Sequence, residues 1–145
     1  MGDLGKEINS SFKTEHQKAF LNIKFTSSYF SNIVDSIFLK SNISFQQYNV
    51  LRILKGAKQP IKVSSVKDRM IEKSPNTTRL MDKLVDKELI TRTRKDCDRR
   101  AVYVEITLKG LDLIETINVD DDRLELTKIT TDEAIELNRI LDKIR

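Results

Sequence analysis

Apolar residues recur at helical spacing over most of the 145-residue chain, and this pattern predicts a mainly helical protein. The first such stretch covers residues 6–40 and is rich in aromatic side chains. Ser44 and Gln47 then form a Ser-x-x-Gln capping box that opens a helix over 44–55, and Gly56 supplies its stop. Because an apolar helix as long as 6–40 needs a large partner surface, we expect it to form part of a dimer interface; the alternative is a role in the core of one chain only.

Two short helices separated by a brief break are predicted next, over residues 63–71 and 75–87. Ser74 is the expected N-cap of the second helix, and Pro75 is its expected first residue. The apolar residues of this helix fall on one side of its wheel. The opposite side carries Pro75, Thr78, Arg79, Asp82 and Asp86. This layout is typical of a helix-turn-helix, although ordinary helical bundles also contain such pairs.

A two-stranded hairpin follows the second of these helices. Residues 89–94 and 101–107 are rich in β-branched side chains, and the second segment alternates apolar and polar positions as a half-buried strand does. The connecting segment 95–100, Lys-Asp-Cys-Asp-Arg-Arg, is short and charged. The pattern therefore predicts a β-hairpin with a basic tip, which is a wing.

The C-terminal part of the chain predicts two more helices. Thr107 caps the first of them, and Thr130 with Glu133 forms a second capping box that opens the last helix. The last helix carries a continuous apolar stripe and must pack on another element. We expect that element to be the first helix, partly from a second copy of the chain.

Charge is distributed unevenly along the sequence. The formal net charge is +4, but residues 1–105 carry a net charge of +8 and residues 106–145 carry a net charge of −4. A basic region suits a polyanionic partner. An ordinary solvated surface accounts for it equally well, so charge alone does not decide between the two.

Several classes of protein have little support in the sequence. There is no apolar run long enough for a transmembrane helix, and the first residues lack the apolar region of a signal peptide. A single cysteine, Cys97, cannot form an internal disulfide, so we expect a cytoplasmic protein without a membrane partner. His16 is the only histidine, and neither a phosphate-binding loop nor zinc-ligand spacing is present. We therefore predict no enzyme activity and no cofactor.

Residues from about 43 to 115 resemble the winged helix-turn-helix core of MarR-type transcriptional regulators. The resemblance rests on Ser-Pro-Asn-Thr-Thr-Arg-Leu-Met-Asp-Lys-Leu (74–84), Leu-Ile-Thr-Arg (89–92), Asp-Arg-Arg (98–100) and Ile-Thr-Leu-Lys-Gly-Leu-Asp-Leu (106–113). It implies that 75–87 is the recognition helix, that 95–100 is the wing tip, and that the terminal helices build a homodimer that reads a palindrome.

Two further consequences come from the same resemblance. Many members of that family release DNA when a small molecule binds, so a small-molecule effector is a candidate partner. Members usually have glycine where this chain has Glu88. Glycine permits a left-handed helix end, so Glu88 must either accept that conformation or end the helix differently.

Four residues of the predicted recognition helix are candidate DNA contacts: Asn76, Thr78, Arg79 and Lys83. The guanidinium of Arg79 can donate two hydrogen bonds to O6 and N7 of a guanine, or it can hold a phosphate. The short side chains of Asn76 and Thr78 suit base edges or phosphates near the helix start, and Lys83 suits the DNA backbone. The alternative is a polar face that meets only water, and the wing that follows favours DNA.

The wing tip adds Lys95, Arg99 and Arg100 as candidate DNA contacts. An arginine on a hairpin tip can enter the minor groove, where negative potential is focused, and the resemblance favours Arg100 or Arg99 for this role. Asp98 is predicted to orient a neighbouring arginine, although many exposed ion pairs contribute almost nothing. A thiol beside arginines can sense oxidants, but this is the less favoured interpretation of Cys97.

The sequence therefore predicts one domain over residues 1–145, mainly α with a small β-wing. Its winged helix-turn-helix core covers 43–107, and dimerisation helices at 6–40 and 108–145 flank that core. The predicted function is a homodimeric, sequence-specific regulator of transcription that binds double-stranded DNA as a repressor on a palindromic operator, with a small molecule as candidate release signal. The alternative is a winged-helix module that binds protein, which gains support if Arg79 and the wing arginines are held in ion pairs.

Overall fold

The computed structural model describes residues 2–72, 76–95, 98–117, 119–120 and 122–145, with the backbone alone for residues 95 and 98–100. Within these residues the elements are α1 (Leu4–Glu7), α2 (Glu15–Phe38), α3 (Phe45–Ala57), β1 (Ile61–Lys62), α4 (Val63–Arg69), α5 (Thr77–Asp86), β2 (Ile90–Lys95), β3 (Asp98–Ile106), α6 (Leu108–Thr116), a short 3-10 helix (Leu126–Lys128) and α7 (Thr131–Ile144). The predicted fold class, mainly helical with a small β element, is confirmed.

The chain forms two compact units. The terminal unit consists of Met1–Ser36 and Val119–Arg145, and the winged unit consists of Ile37–Asn118. The winged unit therefore includes α3 to α6 and the whole sheet. Among the described residues, no helix is long and apolar enough to cross a membrane.

Helix α3 lies at the centre of the winged unit and packs against α4, α5, α6 and β3. Its first turn is held by the predicted capping box: the Gln47 N–H donates to Ser44 Oγ at 3.2 Å, and the Ser44 N–H donates to Gln47 Oε1 at 3.0 Å. The side chains that are almost completely buried in this core come from several elements and include Val50, Leu51, Leu54, Val66, Met81, Leu84, Ile90 and Val104. Burial of each large apolar side chain contributes about 1.5–3 kcal/mol.

The sheet is antiparallel with strand order β1-β3-β2. Its register pairs Ile90 with Ile106 and Arg92 with Val104, so the predicted hairpin is confirmed with bounds shifted by up to three residues. Strand β1 was not predicted. It contains only Ile61 and Lys62, and two residues are too few to show an alternating pattern.

The prediction of one continuous helix over residues 6–40 is wrong. Helix α1 ends at Glu7, Asn9 has φ 48°, and α2 begins only at Glu15. Thr14 starts α2, because its hydroxyl accepts a hydrogen bond of 3.1 Å from the Gln17 N–H. Thr14-x-x-Gln17 has the same spacing as the capping boxes recognised elsewhere in the chain, so the sequence carried a local signal for this start.

Two predicted helix ends also differ. Gly56 lies inside α3 and does not end it; the left-handed residue that follows the helix is Lys58, with φ 53°. The helix predicted over 75–87 is α5, which begins at Thr77 with Asn76 as N-cap. The predicted N-cap Ser74 and first residue Pro75 lie outside the described residues.

Among the described residues of the terminal unit, one leucine is buried and several polar contacts are formed. Leu4 of α1 is buried, and Asp3 forms an ion pair of 3.2 Å with Lys18 of α2. The predicted capping box of α7 is confirmed, because the Thr130 N–H donates to Glu133 Oε2 at 2.8 Å and the Glu133 N–H donates to Thr130 Oγ1. Hydrogen bonds from the backbone N–H and then the hydroxyl of Thr130 hold the pKa of Glu133 below its ordinary value.

Candidate nucleic-acid interface

Helix α5 is strongly amphipathic within the winged unit. Its inward side carries Leu80, Met81 and Leu84, and Thr77 is also buried. The other side leaves Thr78, Arg79 and Lys83 accessible to solvent, and Asn76 is exposed at the N-cap. The structure thus brings together all four candidate contacts of the predicted recognition helix on α5 and its N-cap.

A basic groove runs between α5 and the start of α3. It has a volume of about 480 Å³ and is lined by Ser44, Gln46, Gln47, Asn76, Arg79, Leu80, Lys83 and Lys87. None of these described lining residues carries a carboxylate. Arg79, Lys83 and Lys87 are spaced four residues apart, which places them in one row along a helix. Lys87 was not predicted as a site residue, although this spacing was visible in the sequence.

The cations of this groove differ in their partners. Lys87 Nζ donates to the carbonyl oxygen of Asn42, which ties it to the segment before α3. The Arg79 guanidinium and the Lys83 ammonium form no hydrogen bond or ion pair with the described part of the chain. An exposed, unpaired cation keeps its full capacity for an anionic partner, whereas a paired one is already partly neutralised.

The end of α5 shows which conformation Glu88 adopts in place of the usual glycine. Glu88 adopts the left-handed conformation, with φ 60°. Its N–H donates to the Val85 carbonyl at 2.8 Å, and the Leu89 N–H donates to the Leu84 carbonyl at 2.9 Å, which is a Schellman ending. The Lys109 ammonium lies 2.8 Å from Glu88 Oε2, and this hydrogen bond and charge lower the pKa of Glu88.

Arg92 on β2 is a site residue that the sequence reasoning missed. Its guanidinium pairs with Asp82 of α5, with 2.5 Å between Nη1 and Oδ1. A second hydrogen bond of 3.2 Å runs from Nη2 to the Thr78 carbonyl oxygen. Thr78 and Arg92 also line a cleft of about 290 Å³ between α5, the start of α4 and the sheet. Arg92 belongs to the Leu-Ile-Thr-Arg motif (89–92), but its partners lie 10 and 14 residues away in the chain, so local spacing could not reveal its role.

The wing is present as the β2–β3 hairpin. Its pairing extends to Lys95 and Asp98, with an irregularity in register after Arg94. The side chains of the predicted wing contacts Lys95, Arg99 and Arg100, and of the predicted orienting residue Asp98, lie outside the described part of the chain. Cys97 also lies outside it.

The described residues offer no grouping of three or more His, Cys, Asp or Glu side chains that could hold a metal ion. The lining of the groove offers hydrogen-bond donors and the positive charges of Arg79, Lys83 and Lys87. Such a surface can bind an anion or read acceptor atoms on base edges.

Known proteins are similar to this chain in sequence and in fold. The sequence pattern of the family described as "Transcriptional regulator SarA/Rot" matches residues 32–117. The HTH-type transcriptional regulator MgrA of Staphylococcus aureus is 30% identical over 117 residues, which cover 80% of this chain and 77% of MgrA. MhqR of Bacillus subtilis, also an HTH-type transcriptional regulator, is 30% identical over 102 residues, 68% of each chain.

The chain belongs to the SarA/Rot family of transcriptional regulators.

Solved structures place this SarA/Rot regulator among MarR-type winged-helix proteins. The MarR transcription factor of Planctomyces limnophilus is 32% identical, with a TM-score of 0.69 over 91% of this chain and 98% of its own. A cysteine-to-serine mutant of E. coli MarR, crystallised with operator DNA, is 26% identical, with a TM-score of 0.79 over 99% of both chains. The predicted MarR-type resemblance is thus confirmed, and the family and these relatives are regulators of transcription, not enzymes.

Proposed function

We propose that this SarA/Rot regulator binds double-stranded DNA as a homodimer on a palindromic operator, with α5 in the major groove. The observation that carries the proposal is the basic groove along α5, in which Arg79 and Lys83 are unpaired among the described residues. The E. coli MarR relative was crystallised with operator DNA, which supports DNA binding by this fold.

Each of the four candidate contacts on α5 and its N-cap has a proposed role. Arg79 reads a guanine through two donors or holds a phosphate, and Lys83 contacts the DNA backbone. Asn76 and Thr78 contact base edges or phosphates at the start of the helix.

The wing completes the proposed interface. Arg99 or Arg100 enters the minor groove, Lys95 contacts the backbone, and Asp98 orients an arginine beside it. In this layout residues 43–107 form the DNA-binding core of a single domain.

The exposed apolar residues of the terminal unit support the homodimer. On α2 they include Phe20, Ile23, Phe25 and Tyr29, and on α7 they include Ile135, Leu137, Ile140 and Ile144. A soluble chain rarely leaves so many large apolar side chains in water, and a symmetric dimer would cover them. We assign the dimer contacts to residues 6–40 and 108–145.

The regulator is further proposed to act as a repressor in the cytoplasm, where its operator lies, and to release DNA when a small molecule binds. A cavity of about 440 Å³ supports the effector, because its volume is in the range of small-molecule sites. It lies between residues 41–43, the end of α5 and α6, and includes Ile43, Leu89 and Leu113. Transcription in vitro from a promoter overlapping the operator tests repression, which activation of that promoter would contradict.

A winged-helix module that binds protein instead of DNA remains the second candidate. It is favoured when the basic residues of the recognition helix are neutralised by nearby carboxylates. Arg79 and Lys83 lack such partners among the described residues, which supports DNA over protein.

The deciding experiment is selection of bound sequences from a random duplex pool at moderate salt. We expect enrichment of a two-fold symmetric motif with half-sites about one helical turn apart. Weak binding that depends on salt and enriches no motif would contradict the proposal and favour the protein-binding module. Arg79→Ala tests the groove in the same experiment: it removes an unpaired cation from an exposed helix position and should reduce the enrichment.

A further inference from the structure

Arg92 joins β2 to two successive turns of α5. Its Nη1 lies 2.5 Å from Asp82 Oδ1, and its Nη2 donates to the Thr78 carbonyl oxygen at 3.2 Å. Thr78 and Asp82 are four residues apart, so both lie on the same face of the helix. One planar guanidinium therefore bridges the first and second turns of the predicted recognition helix.

The guanidinium of Arg92 is poorly placed to contact DNA directly. Its side chain is 29% exposed, and its Nε is buried without a hydrogen-bond partner among the described residues. The carboxylate of Asp82 compensates its charge. Arg94, two residues later on the same strand face, is exposed and has no such ion pair within the described chain.

Arg92 acts on the first turn of α5, which begins at Thr77. The hydrogen bond from Arg92 to the Thr78 carbonyl lies in that turn, one residue before Arg79.

We propose that Arg92 is a positioning residue for operator recognition: with Asp82 it sets the rotation of α5 against the sheet, and thereby the direction of Arg79. The inference rests on the proposed function, since it concerns how the same helix reads DNA. A base contact requires atoms placed within a few tenths of an ångström, whereas attraction to phosphates tolerates much looser placement. Loss of the Arg92 bridge should therefore reduce sequence discrimination more than general DNA affinity.

The test compares dissociation constants for the selected operator duplex and for a scrambled duplex of equal length, over a range of salt. The variants are Arg92→Gln, Arg92→Lys and Asp82→Ala, with Arg94→Gln as the matched control that removes a cation from the same strand. The ratio of the two constants measures discrimination. Circular dichroism and thermal melting establish that each variant is folded.

Arg92→Gln and Asp82→Ala are each expected to lower the discrimination ratio by about tenfold, the cost of one poorly read base pair. Their double variant should lose no more than either single one, because the two residues act as one pair. Arg92→Lys should not restore the ratio, since an ammonium cannot reproduce the two-pronged donor geometry. Arg94→Gln should change both affinities by the same factor and leave the ratio unchanged.

Direct contact between Arg92 and DNA predicts a different result. Arg92→Gln would then weaken binding to both duplexes and reduce the salt slope by about 1, and Asp82→Ala would strengthen binding to both by removing a negative charge. Those outcomes, or an unchanged ratio in folded Arg92→Gln and Asp82→Ala, overturn the positioning role. If Arg92→Gln fails to fold, Asp82→Ala alone tests the positioning role. This variant is expected to fold, because alanine favours the helix at this half-exposed position.

The outcome for the wild-type protein separates this inference from the proposed function. Wild-type protein that discriminates no selected duplex from the scrambled one contradicts the DNA-reading function itself. Wild-type protein that discriminates, with an effect of Arg79→Ala but none of the Arg92 and Asp82 variants, contradicts only the positioning role.

Discussion

Thr107 donates its hydroxyl hydrogen to the carbonyl oxygen of Glu88 at a distance of 2.7 Å. The same hydroxyl oxygen accepts a hydrogen bond from the Gly110 N–H and so caps α6. One side chain thus joins the end of α5 to the start of α6. Glu88 itself is held with φ 60°, in a conformation that costs a residue with a Cβ atom roughly 1–2 kcal/mol.

Replacement of Glu88 by glycine is expected to stabilise the protein. Glycine adopts the left-handed conformation without strain, and this gain exceeds the added flexibility of the unfolded chain. The backbone hydrogen bonds of the Schellman ending need no side chain. We expect the melting temperature of Glu88→Gly to rise by about 3 °C in thermal unfolding.

Lys109→Gln is the control for the Glu88 prediction. It removes the exposed ion pair with Glu88 but leaves the backbone strain in place. Its melting temperature should stay close to that of the wild type, because exposed pairs contribute little. A Glu88→Gly variant that melts lower than the wild type would show that the ion pair outweighs the strain.

Two helical glycines are expected to respond to alanine in opposite directions. A Cβ at Gly110 would contact the Leu89 carbonyl oxygen and lie 2.8 Å from Ile106 Cγ1, whereas a Cβ at Gly56 has nothing within 4 Å. Gly110→Ala should therefore reduce the free energy of unfolding by about 2 kcal/mol through overpacking. Gly56→Ala, exposed in the last turn of α3, should raise it by up to about 0.5–1 kcal/mol.

Urea denaturation of the two alanine variants measures both effects, and each serves as the control for the other. Equal effects of the two substitutions would contradict the close approach of α6 to the end of α5.

The terminal unit is expected to lose stability at both ends of the pH scale through one hydrogen-bonded pair. The Tyr29 hydroxyl donates to Glu125 Oε2 at 2.5 Å, which raises the pKa of Tyr29. Hydrogen bonds from Lys128 and then Tyr29 lower the pKa of Glu125. The contribution of this hydrogen bond through Tyr29 to the free energy of unfolding is complete below the tyrosine pKa of the unfolded chain, about 10. It disappears as pH rises through the raised pKa of Tyr29 in the folded protein.

The contribution of Glu125 to the free energy of unfolding depends on pH in the opposite direction. It is complete above the unfolded glutamate pKa of about 4.3 and disappears as pH falls through the lowered pKa of Glu125 in the folded protein. The difference in tyrosinate absorbance between wild type and Tyr29→Phe isolates the titration of Tyr29. Glu125→Gln should shift that titration to lower pH, and an unshifted titration would contradict the hydrogen bond.

Loss of the Arg79 guanidinium is expected to weaken operator binding. Because Arg79 is exposed and unpaired within the described chain, Arg79→Ala should cost about 1–3 kcal/mol of binding free energy if it reads a base. Lys83→Ala should weaken binding to all sequences equally and reduce the salt slope by about 1. Arg100→Ala should cost about 1–3 kcal/mol if that residue enters the minor groove.

Gel retardation of the selected duplex over a range of salt measures these three variants. A folded Arg79→Ala variant that retains wild-type affinity and discrimination would remove Arg79 from the interface.

The exposed apolar face of α7 is expected to be a dimer contact. Leu137 is 47% exposed and lies on the same side of the helix as Leu141 and Ile144. Leu137→Asp places a charge on this face and should shift the protein from dimer to monomer in light scattering at micromolar concentration. Arg139→Gln changes the charge by the same one unit on the opposite side and should remain dimeric. A monomeric wild type would contradict the proposed homodimer.

The sequence by itself determined the elements whose signals are local. The Ser44 and Thr130 capping boxes, the buried side of α5 and the β2–β3 hairpin were all predicted from spacing within a few residues. Such signals act within one helical turn or one strand, so they do not depend on the rest of the fold. The late start of α2 at Thr14 was equally local, and the same reasoning could have found it.

Only the tertiary structure decided which polar side chains form ion pairs or hydrogen bonds within the chain and which remain available to a partner. Arg92 and Arg94 look alike in the sequence, yet Arg92 holds α5 through Asp82 while Arg94 is exposed. Likewise, Glu88 adopts a conformation that glycine usually occupies, within contacts that Thr107 and Lys109 provide. These contacts join residues that are 10 to 21 positions apart in the sequence. Local periodicity carries no information about contacts at such separations.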